Sequence, residues 1–357
     1  MDNQQKIIVG AKTMLGADAP SRARKVLRAG DVIVSTVRPN LNAVALVPDA
    51  LDGQIGSTGL CVLRAKPDCV LPEYLFYFTR SNRFIDSLAS LVSGALYPAV
   101  TDRQVLEQTL PIPTIEDQRR IVDLLSRAEG ILRLRREAEQ KAAELIPSLF
   151  LHMFGDPATN PKGWPIRTVR EIVARFEGGK NLQAGSENGS AYRILKVSAV
   201  TSGRYLESES KPTPDGYSPP STHIVQAGDM LFSRANTEEL VGATAIVEAT
   251  SGKTLLPDKL WRFVWAEPIE PIYMYSLFQS RHVRRELGKL SSGTSASMRN
   301  ISQAKLFDLL LPVAPYDRQK AYAELAIEAR SIIRQQSVAT AKAEATFAAL
   351  LARTLNS

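Results

Sequence analysis

The chain repeats itself, and this constrains its fold more than any other feature. Leu27-Arg-Ala-Gly-Asp31, followed by Val-Ile-Val-Ser35, returns as Val225-Gln-Ala-Gly-Asp229, followed by Met-Leu-Phe-Ser233, 198 residues later. Ser93-Gly94 returns as Ser292-Gly293 at an offset of 199, and Leu110-Pro111 and Gln118-Arg119 return as Leu311-Pro312 and Gln319-Lys320 at 201. Order is kept while the offset drifts by three residues, which is the mark of one unit present twice. In each copy a strand-rich segment with turn signals leads into a short helix over residues 72–90 or 271–290. A Ser/Gly/Thr loop, a Leu-Pro strand end and a long helix follow. Copy two starts near Trp164, whereas Met1 aligns with about residue 199, so copy one carries no counterpart of roughly the first 36 residues of the unit.

The long helices give the strongest periodic signal. Tyr322, Ala326, Ala329, Ile333, Gln336, Thr340, Ala343, Phe347, Leu350 and Thr354 follow a strict four-three spacing. Subtracting 201 gives Ile121, Leu125, Ala128, Leu132, Arg135, Glu139, Ala142, Ile146, Leu149 and Met153. Both sets read as a heptad seam with a polar middle. An antiparallel pair over such a seam spans about 50 Å at ~1.5 Å per residue. Arg135 and Glu139 would then meet Gln336 and Thr340 and fix the register, while Pro147 predicts a kink.

Composition narrows the class. With 357 residues, 44% hydrophobic and 23% charged, the chain can bury ordinary cores in two or three domains. No apolar run is long enough to span a membrane, and Met1-Asp-Asn-Gln-Gln5 is unlike a signal peptide, which predicts a cytoplasmic protein. Cys61 and Cys69 are too few for a metal cage, and His152, His223 and His282 are scattered, so no metal site is expected. The net charge of +7 is spread: 19 basic against 15 acidic residues over 162–312, and 12 against 10 over 1–113. That permits a polyanionic partner.

A search for catalytic patterns finds near misses. Ser218-Pro-Pro-Ser221 lacks the amide or acid and the aromatic residue that a loop holding a target amine needs. Ser251-Gly-Lys-Thr254 has Val247 where a phosphate-binding loop has its first glycine. Glu209-Ser-Lys211 has no Pro-Asp at a sensible distance upstream, as a metal nuclease needs, and no Ser/His/Asp or Cys/His set stands out. No catalytic residue is expected, and a free-standing enzyme is the least favoured class. Binding is favoured, through polar clusters on loops beside strands. They are Arg38, Asn40 and Asn42 after the first repeat string; Arg234, Asn236 and Thr237 after the second; Ser292, Thr294, Arg299 and Asn300, with Ser93-Gly94 as their copy-one match; and, in copy two alone, Lys180 and Asn181. Lys196 joins them as a further basic candidate. Arg and Asn can form bidentate bonds to base edges, and Ser, Thr and Lys commonly contact phosphates. Singly, each of these residues also suits an ordinary hairpin or cap; as duplicated groups they point to nucleic acid. Trp261, alternating with Arg262 on a strand, reads as core.

At this point the chain resembles the DNA-specificity (S) subunit of a Type I restriction-modification system. The strings that carry the resemblance are Gln226-Ala-Gly-Asp-Met-Leu-Phe-Ser-Arg-Ala-Asn236, Leu256-Pro-Asp-Lys-Leu-Trp-Arg-Phe263, Leu110-Pro-Ile-Pro-Thr-Ile-Glu-Asp-Gln-Arg-Arg-Ile-Val122 and the junction Phe154-Gly-Asp-Pro-Ala-Thr-Asn-Pro-Lys-Gly-Trp164. The resemblance implies an α+β chain in which two strand-rich target recognition domains are joined by two long antiparallel helices in a pseudo-twofold arrangement. Mapped here, residues 1–113 form the first recognition domain, N-terminally incomplete, and 114–155 the first spacer helix. Residues 156–163 form a linker, 164–315 the second recognition domain and 316–357 the second spacer helix. The resemblance further implies double-stranded DNA as ligand, methyltransferase (M) subunits and possibly a restriction (R) subunit as partners, and no cofactor on this chain. S-adenosylmethionine would sit on the methyltransferase and ATP on the restriction subunit. The alternative is a coiled-coil assembly subunit whose DNA reading has degenerated.

Overall fold

The computed structural model describes residues 1–2, 6–92, 98–187, 190–295 and 298–355. The chain divides into two compact units: Met1–Glu139 with Gln335–Ser357, and Gln140–Arg334. The long helices are therefore shared out between the units rather than standing apart from them.

Unit 1 is built on strands β1 (Ala23–Val26), β2 (Val32–Ser35), β3 (Val44–Leu46), β4 (Ile55–Ser57) and β5 (Leu60–Leu63). They form a three-stranded antiparallel sheet, β3-β2-β5, and a separate β1-β4 pair. Helices α1 (Pro72–Phe78), α2 (Asn82–Ser90) and α3 (Asp102–Leu106) follow. Pro72 opens α1, where its missing N–H costs nothing. Ser81 caps α2, and Thr101 with Gln104 forms a capping box on α3. The core joins Val32, Val34, Val44, Tyr74, Phe78 and Leu88 to Leu125 and Leu132 of α4 (Ile115–Ala143) and to Phe347 and Leu355 near the C-terminus.

After α4 comes α5 (Leu145–Phe154). The break falls at Ala143–Glu144 because the Pro147 ring would clash with the carbonyl four residues earlier, that of Ala143. Pro147 itself lies in the first turn of α5, where a proline is tolerated. The linker then turns back on α5: the Asn160 side chain brackets Trp164 through its N–H and C=O, and Trp164 Nε1 donates to the Phe154 carbonyl (2.9 Å).

Unit 2 contains β6 (Ile166–Thr168), α6 (Val169–Ile172), β7 (Val173–Gly178), β8 (Arg193–Leu195), α7 (Ser198–Thr201), β9 (Ser210–Pro212), β10 (Met230–Ser233), β11 (Ala235–Asn236), β12 (Thr244–Ile246), β13 (Thr254–Leu255) and β14 (Leu260–Trp265). Helices α8 (Pro271–Gln279) and α9 (Arg281–Leu290), strands β15 (Ser292–Ser295) and β16 (Met298–Asn300), helix α10 (Gln303–Phe307), strand β17 (Leu310–Pro312) and the 40-residue α11 (Tyr316–Leu355) complete the chain. The sheets are β12-β10-β14-β7, β11-β16-β15, β13-β8-β9 and β17-β6. Phe150, Phe154, Tyr273 and Tyr322 pack ring to ring and lock α5, α8 and α11 together.

The repeated strings have structural work in both units. Gly30 and Gly228 turn the chain at φ +79° and +89°, a conformation that favours glycine. The next residue, Asp31 or Asp229, accepts the backbone N–H of Arg28 or Gln226 (2.8 Å each). Gln118 and Gln319 are almost fully buried; their amides receive the N–H of Leu71 (2.8 Å) or Glu270 (3.0 Å) and donate to the carbonyl of Pro113 (3.0 Å) or Ala314 (2.7 Å). Each thereby fastens its long helix to its own domain.

Candidate nucleic-acid interface

The site in unit 2 is assembled from segments distant in sequence. Strand β11 pairs with β16, placing Ala235 opposite Asn300 and Asn236 opposite Arg299, and Ser292 of β15 lies opposite Asn300. Asn236, Ser292, Arg299 and Asn300 therefore share one three-stranded sheet, with Thr294 on its outer strand and the exposed Thr237 just beyond β11. Asn236 Oδ1 accepts the Thr237 N–H (2.8 Å), while its Nδ2 is buried with no partner among the described residues. Arg299 donates to the Gly293 carbonyl (3.2 Å) and pairs with Glu238 (3.4 Å), and its Nε has no partner among the described residues.

Arg234 enters this sheet from the side. Its carbonyl accepts the Ile301 N–H (2.8 Å), its Nε donates to the Asp258 carbonyl (2.8 Å), and its guanidinium lies 5.7 Å from the centre of the Trp261 ring. Trp261 is core, as its alternation predicted, at 7% exposure. It also lies opposite Gly178 at the end of β7, which leads to the exposed Lys180 and Asn181. Gly179 is required there, because a Cβ would sit 1.7 Å from the Leu256 carbonyl oxygen. Lys196 lies elsewhere, at the end of β8, exposed and 4.0 Å from Glu209.

A buried ionic cluster that sequence reasoning missed holds the end of β7. Arg262 donates to Glu177 (2.6 Å), to Asp229 (3.0 Å) and to the carbonyls of Thr222 and Ile224 (2.7 and 3.0 Å). Burial raises the Asp229 carboxyl above its ordinary range despite these bonds. Burial also acts on Glu177, but the hydrogen bonds from Arg262 and Arg175 outweigh it and hold its carboxyl low. Nearby, burial together with the charges of Lys180 and Arg262 lowers the His223 imidazole. The repeated Gly-Asp was the signal that could have exposed this cluster.

Unit 1 has part of the same arrangement. Val37 bridges Ala99 where Ala235 pairs with Asn300. Arg38 (φ +51°) and Asn40 are exposed in the loop that follows. Asn42 departs from the expectation: it is 8% exposed and its Nδ2 donates to the Thr79 carbonyl (2.7 Å), so it braces the loop from inside. Ser93-Gly94 lies outside the described residues.

The expected helix register needs a similar correction. In unit 1, α4 and the end of α11 run antiparallel: Arg80 pairs with Glu129 and lies over the Phe347 ring, while Arg135 lies beside Thr340. Thr340 is buried and its hydroxyl reaches the carbonyls of Gln336 (3.0 Å) and Arg135 (3.4 Å). The Arg135 side chain, however, is exposed, and the ion pair between the helices is Arg136–Glu344 (2.7 Å). A straight helix drifts ~20° per heptad, enough to carry position 135 off a strict seam. Glu139 is half-buried, and Gln336 Oε1 is buried with no partner among the described residues.

Two α+β units with the same glycine turns and the same buried glutamines define a duplicated scaffold. Residues 8–144 match the family model of the Type I restriction modification DNA specificity domain. The chain is 32% identical over 164 residues to the Type I restriction enzyme EcoEI specificity subunit of Escherichia coli, covering 44% of this chain and 27% of that one. It is 30% identical over 142 residues to the HindI specificity subunit of Haemophilus influenzae, covering 39% and 31%. The matched segments thus span less than a third of either relative. A solved chain, from work on complex assembly and conformational transition of the type I R-M system, is 26% identical with a TM-score of 0.63, over 99% of this chain and 88% of that one. Residues 8–144 thus resemble that DNA specificity domain, and the chain is similar to Type I restriction enzyme specificity subunits over the segments matched.

Proposed function

We propose that the chain is a non-catalytic, sequence-specific DNA-binding subunit that places methyltransferase subunits, and a restriction subunit where one exists, on a two-part DNA site. In this reading residues 1–113 and 164–315 are the two target recognition domains. The helical segments 114–155 and 316–357 act as an antiparallel spacer that relates them by a pseudo-twofold axis, and 156–163 is the linker. S-adenosylmethionine and ATP belong to the partners, and the complex works in the cytoplasm. No described helix is long and apolar enough to cross a membrane.

The observation that carries the reading is the gathering of Asn236, Arg299, Asn300 and Ser292 on one small sheet, with Arg234 and Lys180 on either side of Trp261. Such a sheet offers amide and guanidinium groups for base edges and flanking cations for phosphates. The test compares Lys180→Glu and Arg299→Ala with the parent chain on specific and random duplexes across a salt series. Lys180→Glu is expected to weaken both duplexes alike and to reduce the log–log salt slope by ~0.9. Arg299→Ala is expected to erode the preference for the specific duplex by about tenfold or more, equivalent to ~1–3 kcal/mol for one base contact. Unchanged slope and unchanged preference would make both residues structural.

A further inference from the structure

Helix α9 repeats the frame of α2 and departs from it in charge. Ser280 caps α9 by accepting the Val283 N–H, and Ser81 caps α2 by accepting the Phe84 N–H, 199 residues earlier. Val283 and Leu287 are the buried pair of α9; Phe84 and Leu88, at the same offset, are that of α2. The frame therefore needs a serine and two apolar residues. Away from the core, α9 exposes Arg281, Arg285 and Lys289, at i, i+4 and i+8 and hence on one face, where α2 exposes Asn82, Asp86 and Ser90. These cations do not serve the helix itself. Like charges at this spacing repel, and Arg281 opens a first turn that holds no carboxylate, at the end of the helix dipole that favours one. Lys289 pairs with Glu286 (2.7 Å), but among the described residues Arg281 and Arg285 make no ion pair.

Two connections place α9 beside the β11-β16-β15 sheet. Its C-cap, Ser291, leads directly into Ser292 of β15. On the flank beside the stripe, Arg284 donates to the Glu239 carbonyl (2.9 Å), in the loop that follows β11 and carries Glu238, the partner of Arg299. We propose that the exposed face of α9 is a phosphate-contacting surface, which grips the backbone of the DNA duplex whose bases the sheet reads. It rests on the reading of that sheet as a DNA interface and adds the residues that hold the duplex outside it. From Arg281 to Lys289 the helix rises ~12 Å, which matches about three to four phosphates along one strand at ~3.4 Å each. Cations on a regular helix face position a duplex without reading its sequence. The neutral and acidic residues of α2 cannot do the same, so the two copies contribute unequally to affinity.

The test uses the full chain and two fluorescein-labelled duplexes of unrelated sequence, with binding read by fluorescence anisotropy across a salt series. Arg281→Gln with Arg285→Gln and Lys289→Gln spares the cap and the buried pair. This triple variant is expected to reduce the log–log salt slope by ~0.9 per contact, ~2.7 for three, and to weaken both duplexes by the same factor, about tenfold or more. Arg285→Gln alone should take one such step. Removing three exposed charges elsewhere in unit 2, Lys162→Gln with Arg204→Gln and Lys253→Gln, should leave the slope unchanged. An unchanged slope in the α9 variants while Lys180→Glu reduces it would overturn this proposal and leave the reading of the sheet standing; a parent chain that binds neither duplex would overturn both. Equal slope loss in the two triple variants, or a loss confined to one duplex, would overturn it as a general charge effect or as base reading. Unchanged DNA binding with lost capture of the methyltransferase subunits would assign the face to an acidic protein partner, and would overturn it too.

Discussion

Gln319 and Glu207 show how single residues hold the scaffold in place. Gln319 is 1% exposed and satisfies one N–H and one carbonyl. Replacing it with alanine strands both groups, at a cost of about 1–3 kcal/mol each. Gln319→Ala is therefore expected to lower the melting temperature markedly, and Gln118→Ala to do the same through unit 1; a shift within error would show that water takes over these bonds. Glu207 receives the hydroxyls of Thr250, Ser251 and Thr254 and the Ser251 N–H. Burial opposes its ionised form, yet these bonds prevail and bring its pKa from 4.5 to about 2. A carboxylate depressed in the folded state stabilises fully above its unfolded pKa, and that contribution is lost as pH falls through the folded value. The stability difference between the parent and Glu207→Gln should thus be constant above pH 5 and shrink between pH 4.5 and about 2. A pH-independent difference would contradict the assignment. Residue identity alone could not rank the loop candidates: Asn40 and Asn42 look alike in sequence, but only the fold shows that Asn42 points at Thr79. Asn236 and Arg299 are 63 residues apart, and nothing local announces that they are paired across strands.

Elements were more legible than residues, because period and turn chemistry act locally. The duplicated Ala-Gly-Asp turn, the prolines that open α1 and α8 and the long helices all follow from short-range rules. The helix seam was legible only to within one position. Heptad counting chose Arg135, but helical drift and the length of the arginine side chain favour Arg136 for the pair with Glu344. Gln336 Oε1 and the Thr340 hydroxyl remain in the packed face between α4 and α11. Polar groups in such a seam reduce stability while restricting register. Gln336→Leu with Thr340→Leu is expected to raise the melting temperature by a few degrees, as an unpaired buried acceptor is removed. A drop of similar size would mean that the helix pairing depends on these two groups.

For the whole molecule, the central claim is that one chain reads two separate stretches of DNA for a partner that does the chemistry. The repeat made the duplication legible at once. In the proposed function, sequence preference rests on a few side chains on short, irregular strands, which the repeat itself does not specify. The most direct measurement co-expresses the chain with its methyltransferase subunits and maps methylated positions across a genome by sequencing. The account predicts a motif of two specified parts separated by an unspecified gap of constant length. Substitutions at Asn236, Arg299 and Asn300 should change one part and leave the other part and the gap as they were. A single unbroken motif, or a motif untouched by those substitutions, would contradict it.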